Sequence, residues 1–193
     1  MRLDTAKAKP IQSSFWSWEK DVEKILKELF VSSQPYSDML KRLLVINTKD
    51  CLENNGNVVE EIIRNTNLAT LRRDGYIKLE PKIRMSEHEE VKAYIVISCD
   101  NFTTNETNSF YRDCTVTFDI ICHTDYWDLG DYRVRPLKIA GIIDGILNET
   151  KLTGIGTFNF IGCQEIVLNE DLSGYTLAYR AIHGNDDKIP PKV

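Results

Sequence analysis

The chain has little of what marks a specialised protein. Ten glycines and six prolines in 193 residues are too few for a collagen-like or disordered polypeptide. No purely apolar run exceeds about five residues, as at Ile139 to Ile143, against the roughly 20 that span a bilayer. No apolar stretch of seven or more follows the charged start Met1 to Pro10, so no signal peptide is visible and a soluble protein made in a cytoplasm is expected. Positive charge is short as well. Twenty-four Lys and Arg face 29 Asp and Glu, a net charge of −5, the wrong sign for a protein that lives by neutralising phosphates. Neither a nucleic acid nor a membrane is expected as partner. GxGxxG, GxxxxGK[ST], HExxH, GxSxG and EF-hand patterns are all missing, and with them the usual signs of nucleotide, metal and acyl chemistry. Five cysteines, an odd number with no CxxC spacing, read as free thiols. No cofactor is expected.

What is present is an ordinary globular composition, 42% hydrophobic and 27% charged. A chain this long can bury about 70% of its unfolded surface without a metal or disulfide staple. Its organisation changes partway. In Phe15 to Phe30 the residues Phe15, Trp18, Val22, Ile25, Leu26 and Leu29 recur at spacings of three and four, which predicts a helix capped by Ser13 or Ser14. Gln34-Pro35 interrupts it. A shorter helix is expected from Ser37 to about Ile46, on Met39, Leu40, Leu43 and Leu44. After the turn Asn54-Asn55-Gly56, a third is expected on Val58, Val59, Ile62 and Ile63.

Beyond about residue 90 the period falls to two. Val91 to Cys99 and Asp113 to His123 read as strands, the second with Cys114, Val116, Phe118, Ile120 and Cys122 on one side. Asp100 to Ser109, between them, reads as a long polar hairpin loop. From Asp131 to Glu149 the helical period returns, with Val134, Leu137, Ala140, Ile143 and Leu147 as its stripe and Pro136 in the first turn. Phe158 to Leu168 and Tyr175 to His183 close the fold as strands. The expected class is α+β: a mainly antiparallel sheet of four strands or slightly more, with a long helix on one face. The expected organisation is a helical N-terminal extension at 1–85, an α+β core at 86–184 and a flexible tail at 185–193.

Few residues suggest chemistry. Asp74 with Glu80-Pro81-Lys82 echoes the acid followed by E-x-K of Mg²⁺-dependent nucleases, although Pro81 sits where a strand should donate. A charged loop is the alternative. Cys122 and His123 are adjacent on a strand, so they point to opposite faces and cannot chelate one metal together. Packed core thiols compete with a zinc site built from Cys114, Cys122 and a distant histidine. Interaction is better represented. Asp125 to Arg133 mixes three carboxylates with three aromatics, and Tyr126 and Trp127 suit a contact surface. Asn101, Thr103, Asn105 and Thr107 suit adaptable hydrogen bonding to another protein. On the long helix Ile139, Ile142 and Ile146 lie off the main stripe, more apolar surface than one sheet requires. Gly141 and Gly145 each cost about 1 kcal/mol relative to alanine, which implies close packing there by the protein's own sheet or by a neighbouring subunit.

The second half resembles a known family. Thr115 to Cys122 as a strand, an aromatic and acidic loop with Gly130, a helix holding Ile142 to Asn148, then Leu152, and a closing strand Gly174 to Ala181 are similar to the tail-terminator, or tail-completion, proteins of long-tailed bacteriophages, over about residues 91 to 184. The resemblance implies a non-enzymatic subunit that assembles as a ring, a hexamer. Such a ring sits on the last ring of tail-tube protein, stops tube growth and offers a surface to the head through a connector or stopper protein. A place in the virion neck, assembled in the host cytoplasm, follows from it. The helical first 80 residues are longer than that family has there, which keeps another neck protein as the alternative.

Overall fold

A computed structural model describes residues 18–33, 35–53, 56–79, 92–106, 111–152 and 156–184. Helix α1 (Trp18–Lys27) runs into a π-turn at Glu28–Ser32 and is followed by α2 (Tyr36–Val45), α3 (Asn57–Asn65) and α4 (Leu68–Arg73). Strands β1 (Ile77–Lys78), β2 (Ala93–Thr104) and β3 (Tyr111–His123) lead through a 3₁₀ turn at Thr124–Tyr126 to α5 (Arg135–Leu147). The short strands β4 (Lys151–Leu152) and β5 (Gly156–Thr157) precede β6 (Asn159–Val167) and β7 (Leu172–Gly184). The five-stranded sheet has the order β1-β2-β3-β7-β6, and β4 pairs only with β5. All pairings in the larger sheet are antiparallel except β1 with β2. The fold is α+β, with the helical segments of the first half ahead of the sheet.

Periodicity explains the elements. The α1 stripe holds, with Val22, Ile25, Leu26, Leu29 and Phe30 buried, while Phe15 lies outside the described residues. The two-residue period of β3 places Cys114, Val116, Phe118, Ile120 and Cys122 in the core. Leu177, Tyr179 and Ala181 of β7 join them. The Tyr179 ring meets Phe118 edge-on at 5.9 Å, and its hydroxyl donates to Asp144 Oδ1 of α5 at 2.9 Å. Burial and that bond push the Tyr179 hydroxyl pKa well up. Gly174 is fixed by space rather than by its torsion angles: a Cβ there would lie 1.7 Å from the carbonyl oxygen of Ile120.

Several expectations are corrected. The polar stretch Asp100 to Ser109 is strand as far as Thr104; its ladder to β3 shifts register between Asp100 and Thr103, and Asn101 has φ 52. Polarity misled there because a solvated strand needs only a neighbour's backbone, and β3 supplies it. The long helix begins four residues later than expected, because Gly130, Asp131 and Tyr132 all have positive φ. In α3 only Ile63 is buried, while Val58 and Ile62 face solvent. Neither α4 nor β1 was anticipated; each is too short for a period to register. The sheet's second face carries its own apolar cluster, Tyr94, Val96, Ile121 and Leu172 with Ile166 against it. The expected boundary at 85/86 and the tail at 185–193 lie outside the described residues.

Helix α5 decides how the halves relate. Its Ile139, Ile142, Ile143, Ile146 and Leu147 belong to one continuous core that also holds residues of α1, α2 and the inner face of the sheet. The surplus apolar surface of α5 is thus covered from within the chain by the N-terminal helices.

Candidate protein-interaction surface

The connection from β3 to α5 is the most elaborately fixed loop of the described chain. The backbone N–H of Asp125 donates to His123 Nδ1 at 3.2 Å, starting the 3₁₀ turn. Trp127 donates from Nε1 to the Cys122 carbonyl at 3.2 Å, and its ring lies 6.3 Å from that of Tyr175. The chain then forms a tight hairpin bridged at Asp128 and Val134, in which Gly130 N–H donates to Asp128 Oδ1 at 2.8 Å. Gly130, Asp131 and Tyr132 follow with φ 77, 48 and 62. Positive φ is costly for a residue as bulky as tyrosine and persists only where surrounding contacts enforce it.

Within the hairpin Arg133 donates to the Gly130 carbonyl from its backbone N–H at 2.9 Å and from Nε at 3.3 Å. The segment that follows is anchored by Arg135, which is completely buried. Its guanidinium donates to four carbonyls: Tyr126 at 2.7 Å, Leu43 at 2.6 Å, Ile46 at 3.1 Å and Thr48 at 2.8 Å. Two of these, Leu43 and Ile46, are at the C-terminal end of α2, where unpaired carbonyls and the helix dipole favour a cation. One side chain therefore joins α5, the loop before it and the end of α2. On the surface Lys49 pairs with Asp128 at 2.6 Å and Arg133 with Glu53 at 2.7 Å, crossing the same seam. The Lys49 ammonium holds the Asp128 carboxyl below the usual range.

Tyr126 and Trp127 are half-buried and engaged within the loop. The aromatic that remains for a partner is Tyr132, wholly exposed at the hairpin tip. It sits in the aromatic and acidic segment that the sequence marks; choosing it required the backbone angles. Asn101 and Thr103 are exposed on β2, and Asn105 donates from Nδ2 to Asp113 Oδ1 at 2.8 Å. Thr107 lies outside the described residues. Asn105 and Trp127 adjoin opposite ends of β3, separated by about 40 Å of strand at roughly 3.4 Å per residue, so the two predicted patches form no common surface. Ile139, Ile142 and Ile146 are buried in the single chain.

Ile142 and Ile146 lie at the floor of a groove of about 400 Å³ between α2 and α5, with Tyr36 and Met39 on one wall and Leu137 and Lys138 on the other. Gly141 and Gly145 form part of its lining, and a Cβ at either would meet nothing within 4 Å. The sheet is therefore not what these glycines accommodate.

The chemical candidates do not assemble. Asp74 pairs with its neighbour Arg73 at 2.8 Å, which holds its carboxyl below the usual range. Glu80 and Lys82 lie outside the described residues. Among the described residues no group of three or more His, Cys, Asp and Glu is placed to hold a metal ion. Cys114 and Cys122 are packed core thiols, and burial pushes Cys122 up to about 12.

A sheet and helices thus share one core, a loop displays an aromatic side chain, and a groove lies open along α5. A family model, that of YomW, matches residues 37–181. The chain belongs to the YomW family, which is phage-derived, and is a phage-associated protein. The match runs across α2 to α4 as well as the sheet. No curated protein matches the chain. A crystal structure from Akkermansia muciniphila resembles it at 10% identity over 93% of this chain and 100% of that one, with a TM-score of 0.29, a likeness too loose to bear on the fold or the function.

Proposed function

We propose that the protein is a non-enzymatic neck component of a long-tailed phage, which forms a ring, a hexamer, at the head-proximal end of the tail tube. There it stops tube polymerisation and presents a surface to the head–tail connector or stopper. The observation that carries this reading is Tyr132. A bulky aromatic is held wholly exposed on a hairpin with three successive positive φ angles, and Arg135 ties the hairpin's base to two other elements. Strain kept at a displayed aromatic has a use when another protein receives it, since tyrosine is among the residues that dominate binding energy at interfaces. Phage descent and the order of residues 93 to 184, two long strands, α5, the short pair β4 and β5, then two more long strands, support the particular assignment.

Electron microscopy of tail tubes polymerised with and without the chain tests it. The expected result is uniform tubes, each ending in a ring, with the native chain. With Tyr132→Ala, tubes should run on to irregular lengths while the free subunit melts as before. A native chain that leaves tube lengths random and never appears at a tube end overturns the reading.

A further inference from the structure

Among the described residues the five-stranded sheet has no strand outside β6, and β1 covers β2 only at Ile95 and Val96, leaving Ile97 to Asp100 with no outer strand. Unpaired strand edges are templates for another chain, and monomeric proteins guard them with lysine or proline. Neither device is present here. Asn159 to Val167 contains no Lys, Arg or Pro, and nor does Ile97 to Thr104; each has a single charge, Glu165 and Asp100 respectively. Edge β6 also shows apolar side chains to solvent: Phe160, Ile161 and Val167 are 45%, 57% and 68% exposed, and Leu168 just beyond it is 40% exposed.

We infer that β6 of one copy pairs antiparallel with the outer edge of β2 in the next, joining the sheets of successive subunits into a continuous belt. The inference rests on the ring proposed above and names the contact that closes it. Two features favour a second copy of this chain as the occupant. The pairings of β2 with β3, β3 with β7 and β7 with β6 are all antiparallel, so β6 runs opposite to β2. A head-to-tail operator that continues the sheet therefore brings the two edges together in the antiparallel sense. The regular runs are also of comparable length, Gly162 to Val167 on one side and Ile97 to Asp100 on the other. A self-complementary β6 pair would leave the β2 edge open and could form only dimers; the head-to-tail contact uses both edges and can close into a ring.

The test is a pair of half-blocked subunits whose masses are measured in solution. Ile161→Lys/Val167→Lys closes the β6 edge, and Cys99→Pro removes an outward donor from the β2 edge, because the Ile95 N–H points outward to the Tyr76 carbonyl and every second residue follows it. Each variant alone should be a single folded chain by circular dichroism, and an equimolar mixture should stop at complexes of two. In the native protein, exposed Cys163 on β6 should alkylate about tenfold more slowly in the assembly than in the dilute subunit, because pairing protects that strand. This reading stands even if Cys99→Pro fails to fold. Rings formed by either folded variant, or unslowed Cys163, overturn the edge contact and leave the ring proposal intact. Self-association of Cys99→Pro into dimers through β6 overturns the head-to-tail arrangement. Variants that form native rings but no longer bind tubes assign the edge to the tube protein instead. A native chain that remains single at every concentration, with tube ends present, overturns the ring proposal itself.

Discussion

Arg135 shows how much one residue settles. A buried guanidinium is favourable only when its donors are met, and here four carbonyls from two segments of the chain meet them. Arg135→Met would leave those carbonyls buried and unpaired, at a cost of about 3 kcal/mol or more. Chemical denaturation should show that loss, with Arg135→Lys recovering only part of it, because an ammonium cannot reproduce the planar fork. Asp113 gives the pH dependence at the same scale. The amide of Asn105 and then the guanidinium of Arg180, at 2.6 Å, hold its carboxyl below the usual aspartate range. A carboxyl lowered in the folded state contributes stability above its unfolded pKa, and that contribution disappears as the pH falls through the folded value. The melting temperature should therefore drop between about pH 5 and pH 3, and Asp113→Asn should flatten the drop. Equal slopes for the two proteins would show that other carboxylates govern acid unfolding.

Helix α5 carries the argument at the scale of an element. Its outer groove exposes Gly141 and Gly145, and a methyl group at either position would touch nothing in the chain. Each Gly→Ala change should therefore raise the stability of the free subunit by about 1 kcal/mol, through helix propensity alone. If assembly uses the close approach these glycines permit, the double variant Gly141→Ala/Gly145→Ala will melt higher and assemble less well. Undiminished assembly would leave the glycines without an interface role. The stripe of α5 was legible in the sequence, as was its excess of isoleucine. What covers Ile139, Ile142 and Ile146 was not, because a period reports how many faces are apolar and not which element lies against each.

At the scale of the whole molecule, helices and sheet share one core. With Trp16 and Trp127 replaced by Phe, fluorescence of Trp18, which starts α1 and packs against the shared core, and far-ultraviolet circular dichroism should follow one coincident transition. A chain starting at residue 86 would lack α1 to α4 and uncover α5, so it should be insoluble or unfolded; a stable, soluble truncation would show that the helical part is a separable extension. The amino-acid sequence by itself determined the class of element nearly everywhere that a period ran for three or more repeats, including the β3 face from Cys114 to Cys122 and the α1 stripe from Val22 to Leu29. It also marked the segment around Gly130 for interaction. Tertiary structure alone decided that Asn101 to Thr104 are strand, since their backbone partner is β3. It put Tyr132 rather than Trp127 in solvent, at the tip of a hairpin whose turn is held by Asp128 and Arg133 on the backbone of Gly130. Among the described residues it left β6 and part of β2 without an outer strand, because an edge is a relation between strands far apart in the chain, and no local pattern of side chains records which strand has no neighbour.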